Sequence, residues 1–167
     1  EVKFYSRVLS DDEIQSAFRL EYDLGELAYY RLDGHADDDY DYFHGNATGI
    51  QFQADAERGT IAQFSGNGDY ISLHSLDHGD VLTTLGGTVS GWLKASQQGV
   101  LFFAGENNTN GYGGDRDLHV HVAADGKLQG SININAGESF TVSSNQSVFD
   151  GQWHYMVYTW DESSLGL

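Results

Sequence analysis

The stretch DGQWHYMVYTWD, residues 150–161, decides how the rest of the sequence is interpreted. After an Asp-Gly turn pair, Trp153 and every second residue to Thr159 fall on one side of an extended chain. His154 and every second residue to Trp160 fall on the other. An aromatic and β-branched run without Gly or Pro predicts a strand. Because both sides carry large apolar groups, we expect a central strand, covered by the core on one side and aromatic on the other.

Length and charge limit the fold and the partners. A chain of 167 residues with 40% hydrophobic content can bury a sizeable core in one domain. Its formal net charge of -17 repels nucleic-acid phosphates and anionic lipid head groups, so we expect no nucleic-acid partner. No apolar run approaches the roughly 20 residues of a membrane span, so we expect no membrane insertion. The acidic excess predicts mainly a solvated surface.

The sequence contains no cysteine, which excludes disulfides and thiol chemistry. Carboxylates offer the hard oxygen ligands that suit Ca²⁺. For an extracellular module without disulfides, calcium is therefore the cofactor and structural staple that we expect.

Residues 10–13, Ser-Asp-Asp-Glu, form the clearest local motif. The Ser10 hydroxyl can accept the backbone N–H of Glu13, and the Glu13 carboxylate can reach back to the backbone N–H of Ser10. Apolar residues at helical spacing follow, so a short capped helix is predicted that ends near Leu20.

Many short alternating runs follow at intervals of about ten residues, separated by Gly, Asn and Asp turns. This pattern predicts an all-β protein, an antiparallel β-sandwich of the jelly-roll type, with the Ser10 helix as its one short helix.

Five segments resemble the laminin-G-like, pentraxin-type jelly roll of the concanavalin-A-like group. They are AYYRLDG at 28–34, HGNATG at 44–49, FSGNGDYISL at 64–73, GTVSGWLKAS at 87–96 and the stretch at 150–161. Their order and spacing match that family.

The opening segment, EVKFYSRVLSDDEIQSAF, resembles the same family's closing strand and terminal helix, although it lies at the opposite end. The resemblance implies that residues 1–20 are a closing strand and helix, from a preceding repeat or exchanged between modules or chains. Residues 21–167 are then the N-terminal three-quarters of a laminin-G-like module. We accordingly expect further strands beyond Leu167 and neighbouring copies of the module in an array or polymer.

The loop from Gly105 to Asp117 is the richest candidate binding site. Asn108, Asn110, Asp115 and Asp117 supply oxygens of the kind that Ca²⁺ prefers, and Tyr112 could stack on a sugar ring. The resemblance to pentraxins implies a calcium ligand at Asp115, but Arg116 stands where the family has an amide ligand. A loop that is merely polar remains the alternative.

A second acidic loop runs from Asp33 to Asn46. Asp37, Asp39 and Asp41 resemble the opening of a calcium loop, but Tyr42 replaces the glycine that an EF-hand requires there. We retain two hypotheses for this loop, a looser calcium site that includes Asp33 and a solvated loop.

Two histidines, His119 and His121, alternate along one predicted strand and therefore share a side of the sheet. No third ligand is apparent, so a pair on the sheet surface is favoured over a zinc site. The paired acids of laminarinase-type hydrolases lie on one strand in the pattern E-x-D-x-x-E. Here that spacing occurs only at residues 21–26, in a polar connector before the second predicted strand, and the nucleophile-elbow and P-loop motifs are absent from the sequence. We expect no enzymatic activity.

Two functions fit these observations. The first is a non-catalytic, secreted or cell-surface module of a tandem-repeat adhesin or surface fibre, with a glycan or protein ligand and calcium assistance. The alternative is a carbohydrate-binding module appended to a secreted polysaccharide-degrading enzyme.

Overall fold

The computed structural model describes residues 2–14, 26–73, 86–105, 118–135, 138–161 and 165–166. Apart from one helical turn at residues 11–14, all regular elements in these ranges are β-strands. In chain order the strands are β1 (Val2–Tyr5), β2 (Glu26–Tyr30), β3 (Asn46–Thr48), β4 (Gln51–Asp55), β5 (Gly59–Gln63), β6 (Tyr70–Ser72), β7 (Gly86–Leu93), β8 (Gly99–Ala104), β9 (Leu118–Val122), β10 (Lys127–Asn135), β11 (Glu138–Ser147), β12 (His154–Asp161) and β13 (Leu165–Gly166). No helix in the described ranges has the length and apolar character that a bilayer crossing requires.

Two antiparallel sheets form the body of the protein. One has five strands in the order β13-β12-β7-β1-β2, and the other has four in the order β11-β10-β9-β8. Two small two-stranded sheets, β3 with β6 and the hairpin β4 with β5, complete the described strands. This arrangement confirms the prediction of an all-β antiparallel sandwich.

The core lies between the two large sheets. On β12 the side chains of Met156, Tyr158 and Trp160 are buried, whereas the intervening residues are half-buried. The facing strand β9 buries Val120 and its neighbours two positions away in both directions. Because side chains alternate across a strand, both strands turn one apolar row into the shared core. The stretch at 150–161 is thus an interior strand, as predicted.

The strand β1 lies inside the five-stranded sheet and not at its edge. Val2 pairs with Tyr30 of β2 on one side and with Gly91 of β7 on the other. The Phe4 ring is 1% exposed and contacts the ring of Phe102 in the opposite sheet, with 5.1 Å between ring centroids. In the structure, β1 therefore separates β2 from β7 and fills part of the core of this module. The division into residues 1–20 and 21–167 stays a prediction.

The capping motif forms as the sequence predicts. Glu13 N donates to Ser10 Oγ at 3.3 Å, and Ser10 N donates to Glu13 Oε2 at 2.9 Å. The Arg7 guanidinium adds two hydrogen bonds to the Glu13 carboxylate, at 2.7 and 2.9 Å. These bonds, first those from Arg7 and then those from Ser10, lower the pKa of Glu13 to about 2. The rest of the predicted helix, to Leu20, lies outside the described residues.

Candidate functional site

The loop that follows β2 is held by an extensive set of hydrogen bonds. We call residues 32–45 the Asp38 loop, because the carboxylate of Asp38 is at its centre and is only 3% exposed. A carboxylate without hydrogen-bond donors would be costly to bury, so its partners determine whether the loop is stable.

The Asp38 carboxylate accepts four backbone N–H groups. Oδ1 accepts from Tyr29 at 2.8 Å and from Tyr40 at 3.3 Å. Oδ2 accepts from Tyr42 at 3.2 Å and from Phe43 at 3.1 Å. One side chain thus fastens both arms of the loop to each other and to β2. Hydrogen bonds to an ionised acceptor are the stronger kind, so this network gives the loop a defined shape.

Further contacts attach the loop to the sandwich. The Tyr30 hydroxyl donates to the carbonyl oxygen of Phe43 at 2.5 Å, and the backbone N–H of Gly45 donates to the carbonyl oxygen of Ala36 at 2.8 Å. Burial, followed by the charge of Asp38, raises the pKa of the Tyr30 hydroxyl, so it remains a donor.

The backbone of the loop is strained at two positions. Leu32 has φ 58° and Asp41 has φ 66°, and these are the only non-glycine residues with positive φ in the described parts of the chain. Asp tolerates this left-handed region, but a branched residue such as Leu adopts it rarely. Strain of this kind persists only where surrounding contacts enforce it, and it is concentrated at functional sites.

The loop presents aromatic rings to solvent. Tyr42 is 77% exposed and Tyr40 is 40% exposed, although the backbone N–H of each is bonded to the buried carboxylate. An exposed ring on a fixed backbone can contact a ligand at a low entropic cost, because little ordering remains to be done on binding.

Histidines and carboxylates alternate around the same loop. His44 Nε2 lies 2.9 Å from Asp41 Oδ1, and His35 Nδ1 lies 3.3 Å from Asp37 Oδ2. Asp33, a predicted calcium ligand, lies 3.5 Å from His35 Nε2. Within the described ranges, no group of three or more His, Asp or Glu side chains is arranged to hold a metal ion. The calcium role of Asp33 stays a prediction.

The candidate binding residues of the predicted loop from Gly105 to Asp117 lie outside the described residues. They are Asn108, Asn110, Tyr112, Asp115, Arg116 and Asp117. The structure describes only the strands on either side, where Ala104 at the end of β8 pairs with Leu118 at the start of β9. The segment therefore connects two adjacent strands of the four-stranded sheet, and its binding roles stay predictions.

The histidine pair on β9 lies on one side of the sheet, as predicted. The rings of His119 and His121 stack with centroids 4.6 Å apart, and Phe103 meets His119 edge-on. Both histidines lie on the side of β9 opposite its buried core row, and both are half-buried. Burial, followed by the charge of His121, lowers the pKa of His119, which favours a neutral, packed ring.

A second cluster lies where the turn between β4 and β5 meets β7 and the start of β12. The guanidinium carbon of Arg58 is 3.3 Å from the ring centroid of Trp92 and 6.0 Å from that of Trp153. The Tyr155 ring packs beside Trp92, with 5.2 Å between centroids. The Trp153 indole N–H donates to Asp55 Oδ1 at 3.3 Å.

Sequence reasoning missed the central residue of both clusters. Asp38 stands among four neighbouring acids, and the sequence alone does not show which of them turns inward. Arg58 meets tryptophans that are far along the chain, so no local spacing could have indicated the contact. The only local signal for Arg58 was its place between Asp55 and Gly59, which are residues typical of a turn.

The two packed antiparallel sheets define a β-sandwich module. A laminin G family model, described as the concanavalin A-like lectin/glucanases superfamily, matches residues 64–167. The chain belongs to this superfamily, as a laminin-G-like module. Searches of curated proteins and of solved structures find no match.

Proposed function

We propose that the chain is a non-catalytic binding module of a secreted or cell-surface protein, such as a tandem-repeat adhesin or surface fibre. In this proposal the Asp38 loop recognises a glycan or protein ligand, and the module contributes to adhesion. The supporting observation is the exposed Tyr42 ring on a loop whose backbone is held by the buried Asp38 carboxylate. A rigid frame that carries exposed aromatic and polar groups is typical of a binding loop.

The polar groups of the loop suit a hydroxyl-rich ligand. Asp37 and Asp41 offer carboxylate acceptors, and His35 and His44 offer ring nitrogens that donate or accept. Sugar rings combine hydroxyl groups with an apolar face, which can lie on the Tyr42 ring. A non-catalytic role is supported by the absence of the nucleophile-elbow and P-loop motifs from the sequence.

Calcium and neighbouring copies belong to the same proposal. The ion would be held by the side-chain oxygens of Asn108, Asn110, Asp115 and Asp117, which the sequence predicts as calcium ligands. Other copies of the module would be partners in an array. The alternative role, as a carbohydrate-binding module appended to a polysaccharide-degrading enzyme, is supported by the tryptophans around Arg58, because indole rings stack well on sugars.

Glycan-array binding of the whole chain, with calcium and with a chelator, tests the proposal. We expect a restricted set of glycans to bind, and Tyr42→Ala to lose most of that binding. Tyr70→Ala is the matched control, because Tyr70 is also exposed but belongs to β6. Loss of binding in chelator supports the calcium role, and unchanged binding refutes it. If no glycan binds in either condition, or if Tyr42→Ala binds like the wild type, the Asp38 loop is not a glycan-binding site.

A further inference from the structure

Arg58 is an unpaired cation in a strongly acidic protein. The chain has 25 Asp and Glu residues, yet no carboxylate lies within 4.0 Å of the guanidinium group among the described residues. Other cations do pair in this way, namely Arg7 with Glu13, Arg31 with Asp39 and Lys127 with Asp125. The position of Arg58 is therefore set by the aromatic rings and not by an ion pair.

The stack fixes the direction of its hydrogen-bond donors. At 3.3 Å from the Trp92 centroid, the guanidinium group must lie nearly parallel to the indole ring, because a tilted group would place a nitrogen inside it. Its N–H groups then point sideways, away from the ring face. A planar fork held in this way is preorganised for a carboxylate, which accepts two parallel N–H bonds.

Asp55, at the start of the same turn, is engaged by other donors. Asp55 Oδ1 accepts the backbone N–H groups of Glu57 and Arg58, at 2.9 and 3.0 Å, and the indole N–H of Trp153. These bonds shape the turn that carries Arg58. Asp55 thus fixes the backbone that carries the guanidinium group, and among the described residues the side-chain N–H groups of Arg58 have no carboxylate acceptor.

The turn that carries Arg58 has charges of both signs close to it. Asp55 and Glu57 contribute two negative charges, and Arg58 and the exposed Lys94 contribute two positive charges. The charge of Lys94 is close enough to act on Asp55. A dense polyanion would still meet the field of a chain with net charge -17. A ligand with one carboxylate for each sugar ring would meet much weaker repulsion, since salt screens charges beyond about 10 Å.

We propose that Arg58, Trp153 and Tyr155 form a binding site for acidic sugar units, in which Arg58 receives the carboxylate and the aromatic rings receive the sugar face. The site is separate from the Asp38 loop, and it would extend the ligand range of the module to uronic-acid polysaccharides. A role for Arg58 only in fastening the β4–β5 turn to β7 would stabilise the fold without any preference for acidic sugars.

Tryptophan fluorescence provides a direct readout, because Trp92 and Trp153 flank Arg58 whereas the third tryptophan, Trp160, is buried in the core. The whole chain is titrated with short oligomers of galacturonic acid, and with galactose and sulfated galactose oligomers of the same linkage. We expect the galacturonate oligomer to bind at least about tenfold more tightly than either of the others.

Variants separate recognition from stability. Arg58→Gln should weaken binding of the galacturonate oligomer by at least about tenfold, and Arg58→Lys should weaken it less, because the charge remains but the planar fork is lost. Lys127→Gln is the matched control, with the same charge change at the Asp125 ion pair, and it should bind like the wild type. Thermal unfolding of each variant shows that the fold is kept.

Several results would overturn the proposal. These are no binding of the galacturonate oligomer, equal binding of the neutral or the sulfated oligomer, or unchanged binding by a folded Arg58→Gln variant. None of these results depends on Tyr42, so failure of this site and failure of the Asp38 loop can be distinguished.

Discussion

The aromatic ring of Tyr158 on β12 lies directly against the backbone of Gly130 on β10, where the two large sheets face each other. Both residues are buried, and a Cβ atom at position 130 would overlap three carbon atoms of the ring. The contact makes the close approach of the sheets at this point dependent on glycine, for reasons of space and not of backbone conformation. The two sheets are therefore in close van der Waals contact at this point of the core.

Replacing Gly130 by alanine should destabilise the protein. The added methyl group forces the Tyr158 ring or a strand to move, and overpacking of this kind typically costs about 1–3 kcal/mol. Urea unfolding measures the change. Gly99→Ala is the matched control, because Gly99 also lies in the four-stranded sheet and a Cβ there meets nothing within 4 Å. Equal stability of the two variants would contradict the proposed contact.

The fold could be predicted because its signals are local. The alternation of residues 153–160 determines which side of β12 faces the core, and the Ser10–Glu13 capping motif is a matter of spacing within one turn. Turn residues mark most strand boundaries for the same reason. The strand β3 was not predicted, because its three residues pair with the distant β6 and carry no apolar alternation.

The candidate sites could not be predicted because they depend on long-range contacts. Asp38 differs from its acidic neighbours only in turning towards the N–H groups of the folded loop. Likewise, Arg58 becomes a site only when the β4–β5 turn lies over Trp92. Such residues are recognised from their burial and their contacts in the folded structure, and the amino-acid composition carries no information about either.

Removing the hydroxyl of Tyr158 should have no cost, unlike the same change at Tyr30. Among the residues that the structure describes, the buried Tyr158 hydroxyl has no hydrogen-bond partner, whereas that of Tyr30 donates to the carbonyl oxygen of Phe43. We expect Tyr158→Phe to leave the free energy of unfolding unchanged or to raise it by up to about 1 kcal/mol, and Tyr30→Phe to lower it by about 1 kcal/mol. Urea unfolding at neutral pH tests both variants. A loss in Tyr158→Phe as large as that in Tyr30→Phe would show that the hydroxyl has a partner.

The same tyrosine should affect stability in alkaline solution. Burial raises the pKa of Tyr158 above its ordinary value. The unfolded chain then loses the proton first, near pH ~10, so ionisation favours unfolding as the pH rises through this value. The wild type should therefore lose stability above pH ~10 more steeply than Tyr158→Phe. Parallel curves of melting temperature against pH would contradict this expectation.

The Arg7–Glu13 ion pair should make stability depend on acidic pH. The pKa of Glu13 is lowered from its ordinary value of 4.5 to about 2, chiefly by its hydrogen bonds from Arg7. Because the folded state holds the carboxylate charged, this stabilisation is complete above the unfolded pKa and is lost as the pH falls towards about 2. The melting-temperature difference between the wild type and Glu13→Gln should therefore shrink across this range. Glu57→Gln, on an exposed turn, is the control for a general charge effect, and an equal trend in both variants would exclude the specific pair.

Asp38 should be the side chain on which the candidate binding loop depends most. Asp38→Ala removes the acceptor for four backbone N–H groups and leaves an unfilled space, so we expect a loss of about 2–4 kcal/mol in the free energy of unfolding. Asp38→Asn keeps the shape but replaces one acceptor by a donor that faces N–H groups, so it should also destabilise.

Urea unfolding and glycan binding should respond together to these changes, because the bonds that stabilise the loop also hold Tyr42 in place. For stability alone, Asp41→Asn is the control, since the Asp41 side chain is 91% exposed and accepts none of these backbone bonds. Its expected effect on stability is within about 0.5 kcal/mol. If Asp38→Asn were as stable as Asp41→Asn, the carboxylate would not be what holds the loop. If Asp38→Ala lost stability but kept glycan binding, the loop would be structural, and the ligand site would lie elsewhere on the module.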